Sequence, residues 1–378
     1  MDFDFSDEQR LLQDSVDRLL ADRYAFDKRK GYLDEPEGWS RELWAQYAEL
    51  GLLGLPFAEK HGGFGGGGIE TMLVMQALGR VLALEPYLAT VVLAGTALRL
   101  AGNAAQQAAL LPQVAEGKLV LAFAHGERQA RYDLSDVLTT AKPKGSGWVI
   151  DGAKSVVVHG DSADKLIVSA RISGDRDAPD GIGLFVVDAN ANGVARRAYR
   201  LRDGMGGAEI SLSGVEIGGD AVIGEPGKAF PVIERVAEAG IAATAAEAVG
   251  AMETMQAMTL EYLKTRQQFG RPIGDNQALQ HRATEMYVAL EQGRSMAMLA
   301  AMMVEEPDAA ERQRNIAMAK VGIGQAARFV SQNAVQLHGG IGMTEEYAVG
   351  HYFRRVMVIE HSFGDTAHHL SRLAEQVR

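Results

Sequence analysis

Two segments concentrate residue types that could hold an anion and a flat ring. The first reads Tyr262-Leu263-Lys264-Thr265-Arg266-Gln267-Gln268-Phe269-Gly270-Arg271-Pro272-Ile273, with Gln277 four residues on. It has the form of a helix end: Gly270 can cap the helix, and Pro272 prevents its continuation. An Arg and an aromatic side chain delivered together suit a phosphate and a planar group. The second segment is Gln336-Leu337-His338-Gly339-Gly340-Ile341-Gly342-Met343-Thr344-Glu345. Adjacent glycines at a helix end let a ligand approach the backbone closely and meet exposed N–H groups.

Other constellations carry less. His61-Gly62-Gly63-Phe64-Gly65-Gly66-Gly67-Gly68 formally contains G-x-G-x-x-G from Gly63 to Gly68. A dinucleotide fingerprint needs a strand before it and a helix after it. A helical segment and a turn at Pro56 precede this one, so it reads as a flexible interhelical connection. Of His361, His368 and His369, the first two would lie near one face of a helix but lack a third ligand at sensible spacing, and solvated or structural histidines are the expectation, with no metal. No nucleophile-elbow sequence is present, and with no cysteine in the chain, thiolate chemistry and disulfides are excluded.

The elements that must position these residues fall into three zones. The chain has 378 residues, enough for two or three domains. Its hydrophobic (47%) and charged (23%) fractions are those of a globular protein. Residues 1–120 read as a helical domain. Ser6 with Gln9 forms a capping-box pattern, and helices are expected from Ser40 to Leu50, Glu70 to Ala83, Tyr87 to Ala101 and Asn103 to Glu116. Residues 121–222 carry short β-branched runs, among them Trp148–Ile150, Val156–Val158, Leu166–Val168 and Leu184–Val187. Asp-Gly, Ser-Gly-Asp and Asn-Gly turn signals separate them, which points to an antiparallel sheet or barrel. Residues 223–378 return to long helices: one from Lys228 to Arg266, others starting near Asn276 and Pro307, and a short last one near Gly364.

The net charge of −11 argues against nucleic acid and anionic membranes as partners. The N-terminus, MDFDFSDEQR, lacks the layout of a signal peptide. The longest apolar stretch, Tyr87 to Leu98, is too short for a bilayer, which needs about 20 residues. A cytoplasmic protein is the expectation.

Taken together, the motifs and the helix–β–helix order resemble the acyl-CoA dehydrogenase family over essentially the whole chain. Arg266, Phe269, Gly270, Pro272, Ile273 and Gln277 match the family's R-x-x-F-G-x-P-I-x-x-x-Q, and Gln336, Gly339, Gly340 and Gly342 its Q-x-x-G-G-x-G. Leu50 to Pro56 with Gly62-Gly63 matches its N-terminal signature. The resemblance implies an α+β fold: an N-terminal helical domain, a middle antiparallel β-barrel domain and a C-terminal four-helix bundle. It implies FAD as cofactor, an acyl-CoA thioester as substrate, and electron-transferring flavoprotein as electron acceptor. It also implies a dimer of dimers in which Arg266, Phe269, Gln277, Gln336, Gly339 and Gly340 serve the FAD held mainly by the neighbouring subunit.

The same resemblance exposes departures. The family's catalytic Glu falls on Phe363 of Phe363-Gly364-Asp365, and its alternative position on the long helix falls on Gly240. The flavin loop T-E-P-x-x-G-S-D is replaced by Ala124 to Asp133, and the Trp-Ile-Thr against the flavin by Val156-Val157-Val158. Gly240 and Arg266 would lie about 39 Å apart on one straight helix, so they can serve different sites. The pattern resembles the small subunit of heteromeric, pimeloyl-CoA dehydrogenase-like enzymes, in which a large subunit supplies the base. An active homotetramer with a base relocated to Glu360, Glu238 or Asp365 is the alternative, and a non-redox acyl-CoA-binding or structural protein a third.

Overall fold

The computed structural model describes residues 5–376; Met1 to Asp4 of the N-terminal segment, and residues 377–378, lie outside them. The chain packs into two compact units, each assembled from separated stretches: 1–31, 67–83 and 241–378 in one, 32–66 and 84–240 in the other.

The first unit is helical. It contains α1 (Asp7–Arg23), α4 (Gly68–Val81), α8 (Gln277–Met303), α9 (Ala309–His338), α10 (Val349–His361) and α11 (Thr366–Gln376), together with most of α7 (Phe230–Thr265). The Ser6 box forms as the pattern predicts: the Gln9 N–H donates to Ser6 Oγ at 3.2 Å and the Ser6 N–H to Gln9 Oε1 at 3.0 Å. Ala and Met dominate the core, with Met252, Met255, Met286, Ile323, Val330 and Val356 all buried. Small residues let helices approach closely. A Cβ on Gly250 would stand 1.9 Å from the Gln76 carbonyl, and one on Gly79 2.1 Å from that of Glu247, so these reciprocal glycines set the α4–α7 crossing. The expected C-terminal bundle gains α10, whose buried Val349, Tyr352, Val356 and Ile359 follow a helical period.

The second unit combines α3 (Arg41–Glu49), α5 (Gly95–Ala101) and α6 (Ala104–Ala115) with eight strands. The helix expected over Tyr87–Ala101 is present but widens to a π-helical segment at Leu88–Ala94 before α5. A further short helix, α2 (Phe26–Leu33), bridges the boundary at residue 31.

The strands are β1 (Leu121–Ala124), β2 (Thr140–Lys144), β3 (Gly147–Val158), β4 (Lys165–Arg171), β5 (Ile182–Asp188), β6 (Val194–Arg200), β7 (Gly206–Ile217) and β8 (Val222–Ile223). They form one sheet ordered β6-β7-β3-β2-β4-β5-β8, with β1 beside β4. Two expectations are corrected here. The pairing is not purely antiparallel, because β1 runs parallel to β4, Leu121 facing Lys165. Nor does Asp151-Gly152 turn the chain: the two runs on either side are one strand, β3, and the register against β7 slips between Ile150 and Gly152. Gly152 has φ +151°, which lets β3 bulge and continue. The residues sealed inside include Leu166, Val168, Phe185, Ile210 and Val215.

The glycine-rich segment is tightly folded rather than loose. Gly65 and Gly66 donate to the Phe57 and Leu55 carbonyls at 2.7 and 2.8 Å, and a Cβ on Gly63 would meet Phe57 O at 2.1 Å. Close backbone packing requires a glycine at 63, whereas Gly65 has open space and a φ of +66°. Among the described residues no helix is long and apolar enough to cross a membrane.

Candidate functional site

The two motifs meet at one end of the helical unit. α7 stops at Thr265, and the Arg266 N–H closes its last turn on Tyr262 O. Gly270 was expected to cap the helix; instead it is the second residue of a two-residue hairpin between β9 (Gln267–Gln268) and β10 (Arg271–Pro272). Phe269 and Gly270 have φ +55° and +80°. Such a turn needs positive φ at both central residues, which a non-glycine side chain adopts at a cost. The result is a Phe ring held fully clear of its own chain, at 102% relative exposure. The Arg266 side chain is exposed, and its guanidinium has no hydrogen-bond or ion-pair partner among the described residues. Gln277 opens α8 and is exposed.

At the end of α9, Gln336 is exposed and Gly339 leaves the helix at φ +65°. A Cβ on Gly339 or Gly340 would meet nothing within 4 Å. Ile341 and Met343 beyond them are 43% and 76% exposed. An unpaired cation, an outward aromatic ring, an open glycine turn and exposed apolar side chains therefore share one helix end.

The turn between α10 and α11 is differently built. Phe363 has φ +57° and its carbonyl accepts a hydrogen bond from His369 Nε2 at 2.9 Å. Glu360 is 3% exposed; its Oε1 accepts the Thr366 N–H at 3.1 Å and an Arg328 N–H at 3.2 Å. The buried Lys320 ammonium lies near, donating to Ile359 O at 2.6 Å, and burial pulls it down to about 8 although Glu360 and Asp365 favour its charge. Asp365 accepts the His368 N–H at 2.9 Å. Both acids thus serve the start of α11, as caps for otherwise unpaired N–H groups. Glu238 and Gly240 lie on the early turns of α7, Glu238 at 6% exposure. His361 ends α10 while His368 and His369 stand in α11, and no group of three potential metal ligands occurs among the described residues.

In the β unit, the segment following β1 is locked from within. Glu127 Oε1 takes the buried Lys154 ammonium at 2.6 Å and the Thr139 N–H at 3.1 Å; Oε2 takes the Leu138 N–H at 2.8 Å and Gln129 at 2.9 Å. Burial opposes the charge on Glu127, but Lys154 and these donors pull its carboxyl down to about 2. Burial drops Lys154 itself to about 8. Lys154 also donates to Ser169 Oγ at 3.0 Å, which faces His125 Nδ1 at 2.9 Å. His125 is pulled to about 3 by burial and by Lys154. Val156 nearby on β3 has φ +53° and is 54% exposed, an outlier for a β-branched residue. Sequence reasoning quoted Glu127 but missed its pairing with Lys154; no local pattern marks a partner 27 residues away.

The three domains of acyl-CoA dehydrogenases match along the chain: the N-terminal domain over residues 6–118, the middle domain over 122–216 and the C-terminal domain over 229–378. The chain belongs to the acyl-CoA dehydrogenase family. It is 29% identical to acyl-CoA dehydrogenase FadE12 of Mycobacterium tuberculosis over 350 residues, covering 91% of this chain and 89% of that one. The structure superposes on butyryl-CoA dehydrogenase from Megasphaera elsdenii with a TM-score of 0.91 at 25% identity, all of both chains being covered. It superposes on the ChsE4-ChsE5 complex from Mycobacterium tuberculosis at 0.88 and 26% identity, over 100% of this chain and 99% of that one.

The family's cofactor is FAD. The helix end around Arg266 fits such a group, since its cation and ring have no internal partner to give up and the Gly339-Gly340 turn leaves open space beside its backbone. The segment 127–139 fits it poorly, since its carboxylate and its Leu138 and Thr139 N–H groups are spent on one another.

Proposed function

We propose that this chain is the small, base-lacking subunit of a heteromeric acyl-CoA dehydrogenase, its helix end completing the FAD site of a larger partner. One contrast within the helical unit carries the reading. Phe363 occupies the slot that the family gives to its base, and the neighbouring acids are engaged at the start of α11, Glu360 through Oε1 with its Oε2 buried and unpartnered and Asp365 through Oδ1, while Arg266, Phe269 and the Gly339-Gly340 turn stand open.

In this reading Arg266 neutralises a cofactor phosphate and Phe269 packs on a flat ring. Gln277 and Gln336 supply side-chain hydrogen bonds, and the glycine turn admits the cofactor to the backbone. FAD held there would supply the acceptor for the hydride of the β-carbon of an acyl-CoA thioester. The α-proton goes to a carboxylate of the partner subunit, since no such group of this chain stands at either base position, and electron-transferring flavoprotein drains the electrons. The assembly is a dimer of dimers with two copies of each subunit, located in the cytoplasm, and the acyl group is a dicarboxylyl chain of the pimeloyl type, on the β-oxidation pattern. The likeness to a two-component complex supports the heteromeric part.

The test is purification of the chain alone and after co-expression with a neighbouring dehydrogenase subunit. The reading expects little flavin and no turnover from the chain alone, and a yellow, active complex of equal subunit ratio from co-expression. A yellow, active homo-oligomer would overturn it and favour a relocated base.

A further inference from the structure

His338 stands directly before the Gly339-Gly340 turn, as the last residue of α9, and is 3% exposed. Its ring lies between two tyrosines, 4.6 Å from the Tyr262 ring centroid and 5.1 Å from that of Tyr347. Tyr262 belongs to the last turn of α7, and its carbonyl receives the Arg266 N–H at 2.9 Å. Tyr347 immediately precedes Ala348, the residue from which α10 departs. One buried ring therefore touches the end of α7, the end of α9 and the entry to α10.

The ring is fixed in rotation as well as position. Its Nδ1 lies 2.8 Å from Ala334 O, and a carbonyl can only accept, so Nδ1 carries the proton. Nε2 is buried without a hydrogen-bond partner. Burial holds the imidazole below its ordinary value, keeping it neutral. The turn also packs on it: a Cβ on Gly342 would stand 3.1 Å from His338 Cβ.

We propose that His338 is a positioning residue: its ring, clasped between Tyr262 and Tyr347, sets the spacing between Arg266 and the Gly339-Gly340 backbone at which both engage one adenine dinucleotide. The proposal rests on the reading of these two motifs as a cofactor surface. A histidine suits the role because it is a rigid ring whose polar edge can pin it to the helix it terminates. A site assembled from two helix ends loses affinity when their separation is free to drift, even if every contacting group is retained.

The test uses the flavin-bearing oligomer, deflavinated and titrated with FAD, with single variants of His338, Arg266 and Tyr262 and one double variant. His338→Asn keeps a donor for Ala334 O but loses the ring. His338→Phe keeps the ring but loses the donor. Arg266→Ala removes a contacting group. The expected result is an FAD Kd raised about tenfold in His338→Asn, within about threefold of the parent in His338→Phe, and raised in Arg266→Ala. Thermal melting of the isolated chain should move by similar amounts in the two His338 variants, so that only the Kd separates them. A Tyr262→Ala/His338→Asn double variant should bind FAD little worse than either single variant, because both break the same stack.

A merely structural role would lower the melting temperature without splitting the two Kd values, and that outcome overturns the proposal. If Arg266→Ala loses FAD while His338→Asn does not, the positioning role fails and the cofactor surface stands. If Arg266→Ala binds FAD as the parent does, the reading beneath fails and the proposal falls with it.

Discussion

The helix end around Arg266 keeps the motif residues of the acyl-CoA dehydrogenases, whereas the segment that includes Glu127 to Asp133 does not carry the family's flavin-loop sequence. At the helix end the polar and aromatic groups point away from their own chain: Phe269 is fully exposed and the glycine turn is open. In the β unit the buried polar groups are paired internally, with Glu127 alone receiving Lys154, Gln129, Leu138 and Thr139, and only Arg128 and Arg131 of that segment stand exposed without a partner among the described residues. Groups kept for a ligand must forgo partners inside the fold, and that costs stability. Groups released from a ligand can be recruited into the fold. The difference teaches that loss of one surface need not erode the other, because they are stabilised by separate sets of contacts.

The largest effect should come from the locked region. Lys154→Met leaves the Glu127 carboxylate buried beside an apolar chain. Removing one partner of such a pair costs about 3–5 kcal/mol, read here as an earlier chemical unfolding of the β unit. Adding Glu127→Gln should recover part of the loss. Flavin content of the assembled complex should change little by comparison; if it changes more than stability does, the locked segment still faces the cofactor and the contrast breaks.

Acidification should come next. His125 is held at about 3 and His369 at about 4, each chiefly by burial, against about 6.5 when unfolded. Below pH 6.5 the unfolded chain therefore binds more protons than the folded one. Stability is fully present above that pH and falls as pH drops toward 4, by about 1.4 kcal/mol per pH unit for each histidine. His369→Gln, by urea melts at pH 7.5 and 5.5, should flatten the dependence of the helical unit. An unchanged slope would mean that His369 is already protonated in the fold.

The open region should show the reverse pattern. Arg266→Ala removes no internal contact, so unfolding should shift by no more than about 0.5 kcal/mol. FAD affinity of the complex should fall about tenfold to a hundredfold, the worth of one charge-assisted hydrogen bond. A variant destabilised as much as it loses flavin would place Arg266 with the fold rather than with the ligand.

What was legible in the sequence was local. The Ser6–Gln9 box and the starts of α8 and α9 depend on residues within one turn, and Arg266, Phe269 and Gly339 stand out as motif residues by type and spacing. The Asp151-Gly152 pair reads as a turn unless one knows that β7 lies beside it and absorbs the slip as a bulge. α10 has a readable period but no side-chain cap, since Ala348 precedes it, and so lacks a start signal. The Lys154–Glu127 pair and the Tyr262–His338 stack join residues 27 and 76 positions apart, and only the fold brings them together.

The smallest effect concerns Glu360, and it bears on where chemistry is done. One of its oxygens starts α11 through the Thr366 N–H and pairs with Arg328, and a Cβ on Gly324 would stand 2.2 Å from the other. Glu360→Gln keeps the shape and one acceptor oxygen, losing only the charge. The loss should be about 1 kcal/mol of stability in the helical unit. Turnover of the assembled enzyme on its acyl-CoA substrate should stay within about twofold, since a carboxylate that caps a helix gains nothing from accepting a substrate proton. A fall of a hundredfold or more with unchanged stability would make Glu360 the relocated base. Phe363 would then stand beside a working acid, and the helical unit would hold an active site of its own.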